Sequence, residues 1–232
     1  FSPSNMNFFI LRAIALSISI TLSLGSCGLG ESRKKDEPTR FLKSTGADLN
    51  QHSTRLPFQR AWRDPKVDIS KYKNIVVRPV TTSFIKPNQW KESESKFLPS
   101  KRRYIRRCER LAKYWSGSLN KAFSSPVCLF YKINDANQPN TLILETALTE
   151  VRFAPSPLAS CGFEARVIDA SNGKIIATVS DRRRPSVKAM ATKTKSISTL
   201  NESICDEWSE ELFKASNQEL FPVVRRGLFG MF

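Results

Sequence analysis

Three stretches in the second half of the chain alternate apolar and polar residues at a period of two: Thr141–Phe153 (TLILETALTEVRF), Gly162–Asp169 (GFEARVID) and Lys174–Asp181 (KIIATVSD). A strand shows successive side chains to opposite faces, so such runs rest one face on a core and turn the other to water. Leu142, Leu144 and Leu148 share a face, as do Phe163, Ala165 and Val167, and then Ile175, Ala177 and Val179. Glu145, Thr149, Glu164, Arg166, Thr178 and Ser180 take the opposite positions. Ala170-Ser171-Asn172-Gly173 joins the last two runs, and Asn-Gly between alternating runs is a strong hairpin signal. A sheet of this kind needs helices on its apolar side only.

Two segments supply them. In Tyr104–Phe123, Tyr104, Cys108, Leu111, Trp115, Leu119 and Ala122 recur at three- and four-residue steps, with Arg103, Arg106, Arg107, Arg110 and Lys113 opposite. Positive charge in a first turn opposes the helix dipole, so either the helix begins later, or acidic neighbours such as Glu92 and Glu94 compensate, or a partner uses the charge. In Leu200–Ala215 the stripe is Leu200, Ile204, Trp208 and Leu212, and Thr199 with Glu202 fits a capping box. Glu202, Asp206, Glu207, Glu210 and Glu211 make its outer side acidic, complementary to the first helix if the two lie together. Earlier, Ile75-Val76-Val77 inside Tyr72–Val80 and the run Val127–Ile133 read as two further strands. The expected fold is α+β: one mostly antiparallel sheet of about five strands with two main helices packed on one face.

The N-terminal segment is of another kind. Arg12 precedes an apolar run, Ala13–Leu24, which has the length of a signal-peptide core and is too short to span a bilayer. Leu24-Gly25-Ser26-Cys27 follows, and its order resembles the lipobox of bacterial lipoproteins, where cleavage precedes a lipidated cysteine. The resemblance implies a signal peptide over 1–26, with Met6 as its start, and palmitate-type acylation of Cys27 as a membrane anchor. Each buried CH₂ of such a chain is worth roughly 0.8 kcal/mol. Gly28, where inner-membrane lipoproteins commonly carry Asp, points to the periplasmic face of the outer membrane. Residues 27–56 are polar and read as a flexible tether, 57–220 as the periplasmic domain and 221–232 as a C-terminal tail.

The chain of 232 residues carries a net charge of +16. In an exported protein that excess points to anionic lipids, envelope polymers or acidic envelope proteins, and the export signal argues against nucleic acid. Two basic patches are the candidate contact surfaces. One is Lys101, Arg102, Arg103, Arg106 and Arg107; the other is Arg182, Arg183, Arg184 and Lys188. With Cys27 acylated, Cys108, Cys128, Cys161 and Cys205 form an even set in an oxidising compartment, which favours two disulfides. Three pairings are open. Cys108 with Cys205 would join the helices and Cys128 with Cys161 two strands, while four buried thiols are the alternative. No Cys-x-x-Cys spacing occurs, and the single histidine, His52, lies in the polar tether, so neither metal nor cofactor is expected.

Several short pieces carry a family likeness: Pro57-Phe58 with Trp62, Tyr72-Lys73, Arg78-Pro79-Val80, Thr141–Glu145, Ala147–Glu150, Gly162–Arg166, Asp169, Asn172-Gly173-Lys174 and Asp181-Arg182-Arg183. Over roughly 55–215 their order resembles the bacterial lipoproteins of domain-of-unknown-function family 3313. That resemblance implies no reaction and no catalytic residues. The expected role is a non-enzymatic scaffold or accessory binding module at the outer membrane. The alternative is an enzyme or direct binder acting on envelope glycan or lipopolysaccharide. Glu145, Glu150 and Glu164 would be its carboxylates, since glycoside hydrolysis needs two at a defined separation. Cross-strand ion pairs that include Arg166 account for them more simply.

Overall fold

The alternating runs pair into one sheet that is six-stranded among the described residues. The computed structural model describes residues 37–43, 56–86, 100–153, 159–185 and 197–220. In chain order these form α1 (Arg40–Lys43), β1 (Arg60–Arg63), a 3-10 turn (Ile69–Lys71), β2 (Asn74–Val77), α2 (Lys101–Phe123), β3 (Tyr131–Lys132), β4 (Thr141–Arg152), β5 (Ser160–Asp169), β6 (Ile175–Arg183) and α3 (Ile197–Leu220). The sheet order is β1-β6-β5-β4-β2-β3.

The hairpin core is as expected. β4, β5 and β6 are antiparallel neighbours, and Gly173 turns between the last two at φ 71. Asp169 secures that turn by accepting from Ser171 N and Oγ at 2.9 and 2.6 Å, while Tyr72 Oη reaches its other oxygen at 2.7 Å.

The remaining strands refine the expectation of a mostly antiparallel sheet of about five strands: the sheet is mixed and has six among the described residues. β2 runs parallel to both β3 and β4. Parallel neighbours need a long crossover, and α2 provides it. Val127–Ile133 contributes only the two residues of β3, at the sheet edge. The additional strand is β1, which pairs with β6 from Arg60 opposite Ser180 to Arg63 opposite Ala177. Only Ala61 of its four residues is buried, so it shows no alternation to read.

α2 and α3 cover one face. The buried side of α2 is Tyr104, Cys108, Leu111, Ala112, Trp115, Leu119 and Phe123. α3 begins at Ile197, which puts Thr199 inside the first turn and replaces the expected capping box. The two helices meet over β5, where Trp208 lies 4.5 Å from the Phe163 ring and 5.5 Å from Trp115. Aromatic pairs of this sort contribute roughly 0.5–1.5 kcal/mol beyond their burial.

The opposite face corrects the reading of 27–56 as tether throughout. Residues 37–43 form a strap on β4 and β5. Thr39 donates its N–H and hydroxyl to the two oxygens of Glu164, both at 2.6 Å. Phe41 and Leu42 are buried with Ala147, whose small side chain leaves room for them. The Arg166 guanidinium lies 4.5 Å over the Phe41 ring and donates to Phe41 O at 3.1 Å.

Candidate functional site

Helical periodicity builds an exposed charge cluster at the start of α2. Because the apolar stripe of α2 faces the sheet, the intervening cations are forced outward. Lys101, Arg102, Arg103 and Arg106 are exposed, and the Arg107 guanidinium lies 4.3 Å over the Phe153 ring. Ser100 caps the helix, its Oγ accepting from Arg103 N at 3.4 Å. No acidic residue stands in the first turn to offset the dipole. Further along, Arg103, Arg106, Arg110 and Lys113 line a shallow depression of about 480 Å³ together with Glu109.

Two residues of the second basic patch are paired within the fold. Arg182 reaches Glu150 at 2.7 Å. Arg183 bonds Asp181 and Glu211, both at 2.5 Å, and donates to Pro57 O at 2.7 Å. Burial alone would lower the Arg183 pKa, but those two carboxylates hold it above its ordinary value. Strand register explains the Arg182 contact: Glu150, Gly162 and Arg182 lie in line across three strands. A Cβ on Gly162 would stand 3.2 Å from Glu150 Cβ, so the glycine leaves the gap that the arginine bridges. Arg184 is exposed, and Lys188 lies outside the described residues.

The three carboxylates weighed for hydrolysis each have a partner. Glu145 pairs with Arg166 at 2.7 Å. Glu150, only 4% exposed, also accepts from Ser160 Oγ at 2.9 Å. Burial raises the pKa of Glu164, and the hydrogen bonds from Thr39 pull it partly back.

Cys108, Cys128, Cys161 and Cys205 stand as free thiols, so neither expected bridge is shown. Cys161 faces Val151 near one end of β4, whereas Cys128 precedes β3, whose Tyr131 shares its β2 partner Asn74 with Thr141 at the other end. Those ends are about 30 Å apart at the rise of a strand, against the 4.4–6.8 Å between Cα atoms that a disulfide needs. Burial pushes the Cys108 thiol up to about 12 and those of Cys161 and Cys205 well above the ordinary value. Cys27 lies outside the described residues.

Residues 37–160 match the family described as protein of unknown function (DUF3313), more than half of the 232-residue chain. The chain belongs to this family. The strap on Glu164 is therefore part of the DUF3313 region, which opens at Glu37. No curated protein matches the chain. Among solved structures, the PelC dodecamer from Paraburkholderia phytofirmans is similar at 13% identity, with 66% of this chain and 95% of that one covered and a TM-score of 0.36. XCC0632 from Xanthomonas campestris is similar at 14% identity, covering 61% and 81%, with a TM-score of 0.37. Lipoprotein GNA1162 from Neisseria meningitidis is similar at 14%, covering 60% and 98%, with a TM-score of 0.24. Likeness this slight carries no argument about function or assembly.

The DUF3313 domain has one further feature that periodicity did not disclose. An apolar cleft of about 290 Å³ opens between the helix-covered sheet face and the end of α3, lined by Ala61, Phe130, Leu144, Val167, Val179 and Leu212. Small side chains brought together from β1, β6 and α3 leave it unfilled, and no single stretch signals that meeting. Among the described residues, no helix is long and apolar enough to cross a membrane.

Proposed function

We propose that this DUF3313 protein is a non-enzymatic lipoprotein of the bacterial envelope, acylated at Cys27 and held on the periplasmic face of the outer membrane. In this reading the folded domain is an accessory module, and the start of α2 binds an acidic envelope protein. The observation that carries the proposal is the exposed set Lys101, Arg102 and Arg103 on a first turn without any acidic residue, with Arg106 exposed in the turn that follows. Each such cation is unfavourable beside the helix dipole by roughly 0.3 kcal/mol or more, so an external anion would relieve it. Glu145, Glu150 and Glu164 support a role without chemistry, since each is engaged in holding strands or the strap together.

Crosslinking in intact cells from a photoreactive residue at position 102 tests this. The expected result is capture of an envelope protein that disappears in the Arg103→Glu, Arg106→Glu double variant. Undiminished capture in that variant would overturn the assignment of the surface. Capture of lipopolysaccharide or peptidoglycan instead, lost steeply between low and physiological salt, would replace the protein partner by an anionic polymer.

A further inference from the structure

The outer surface of α2 and α3 is self-complementary. The two helices run parallel, as their contacts fix: Tyr114 bonds Asp206 at 2.8 Å, Trp115 bonds Ser209 at 3.1 Å and Ser118 bonds Asp206 at 2.7 Å, with sequence offsets of 92, 94 and 88. Phe123 stacks edge-on against Phe213 at 5.9 Å further along. Residues about ninety apart in sequence therefore stand at the same height on the two helices. Arg110, Lys113 and Lys121 are exposed along α2, and Asp206 and Glu210 along α3, with Glu202 half-exposed before them. By those offsets Arg110 is level with Glu202, Lys113 falls between Glu202 and Asp206, and Lys121 is level with Glu210 to within about two residues, or roughly 3 Å.

A groove of about 1050 Å³ separates these rows, with Arg110, Lys113 and Lys121 on one wall and Asp206 and Glu210 on the other. Its floor includes Gly117, where an added Cβ would meet nothing within 4 Å. The two rows bear opposite charge at matched heights, although Glu210 also pairs with the exposed Lys214 one turn on in its own helix at 2.5 Å. A two-fold axis parallel to the helices preserves height and exchanges α2 for α3, so each cationic row of one copy lies over the acidic row of the other. A two-fold axis across the helices would instead lay like charge on like charge.

We infer that this surface is the interface of a symmetric dimer of the chain, in which Arg110, Lys113 and Lys121 of each copy face Glu202, Asp206 and Glu210 of the other. The interface is isologous, the usual arrangement of two-fold pairs. Complementary rows fix its register and exclude the reversed alignment. By the same offsets α3 starts level with Arg106, so Lys101–Arg103 extend past the interface and remain available to another partner.

Charge exchange between two variants tests the dimer. The full-length chain in detergent micelles is examined by native mass spectrometry as wild type, Lys121→Glu and Glu210→Lys, with one variant isotope-labelled. Circular dichroism and the thermal midpoint check that the exposed substitutions leave the fold intact. The wild type should give two copies per particle. Each variant alone places like charges together twice and should self-associate more weakly by a factor on the order of ten or more. Mixed in equal amounts, the two should recover a heterodimer with one copy of each, because both contacts are then between opposite charges. A wild type that stays single, variants that dimerise as the wild type does, or a mixture that fails to pair would each overturn the inference.

Discussion

Trp208 donates its indole N–H to Asp181 at 3.0 Å, tying the middle of α3 to the last strand. The same carboxylate accepts from Arg183 Nε at 2.5 Å and from Gln59 N at 3.3 Å, and is itself 5% exposed. One buried anion thus joins α3, β6 and the segment before β1. Asp181→Ala leaves the indole and the guanidinium without that acceptor. The expected loss is about 3 kcal/mol or more, read as a lower urea midpoint. A change under about 0.5 kcal/mol, the range of ordinary surface substitutions, would show that the carboxylate holds little together.

The strap on β5 gives a pH signature. Glu164 has its pKa raised above 4.5 mainly by burial, against the opposing hydrogen bonds from Thr39. An acid whose folded pKa is raised contributes stability that is fully present below its unfolded pKa and is lost as pH rises through the folded value. Glu164→Gln removes that loss. The thermal midpoint of the variant, measured against the parent, should therefore rise as pH goes from 4 to 7. A difference that stays flat or falls over that range would contradict the burial of this carboxyl.

Thiol reactivity separates the four cysteines of the domain. Cys128 is half-buried, whereas Cys108, Cys161 and Cys205 are buried, and burial pushes the Cys108 thiol up to about 12 and the other two well above the ordinary value. The thiolate is the reacting species, so Cys128 should be alkylated first at pH 8 and the others only on unfolding. Mass mapping of the alkylated peptides checks this. Labelling of Cys161 as fast as Cys128 in the folded protein would contradict the packing described.

Gly173 closes the β5–β6 hairpin at φ 71, a conformation that costs an L-residue roughly 1 kcal/mol. Gly173→Ala should lower the unfolding free energy by about that much. An unchanged urea midpoint would mean that the turn relaxes to another geometry.

What could be read before the structure depended on whether the signal was local. The apolar positions of β4 and β5, the Asn172-Gly173 hairpin and the stripes of α2 and α3 each follow from a repeat within one segment, whereas in β6 a bulge puts Ile176 in the core in place of Ile175. β1 escaped notice because a strand with a single buried residue carries no period, and it is recognised only by its pairing with β6. The Thr39–Glu164 contact spans 125 residues, and nothing in a polar stretch announces a partner so distant. Arg182 and Arg183 read as a basic patch because a charge run says nothing of the acids opposite; Glu150, Asp181 and Glu211 come from three different elements. The basic start of α2 was legible because the same helical period that buries Tyr104 and Cys108 turns Arg103 and Arg106 outward.

In the proposed function, an acylated Cys27 holds this basic domain at the envelope. Feeding cells a clickable palmitate analogue tests it most directly. The parent protein should be tagged and recovered with the outer membrane, and Cys27→Ala should lose both the tag and the membrane fractionation. A parent that stays untagged, with Cys27→Ala fractionating as the parent does, would contradict it.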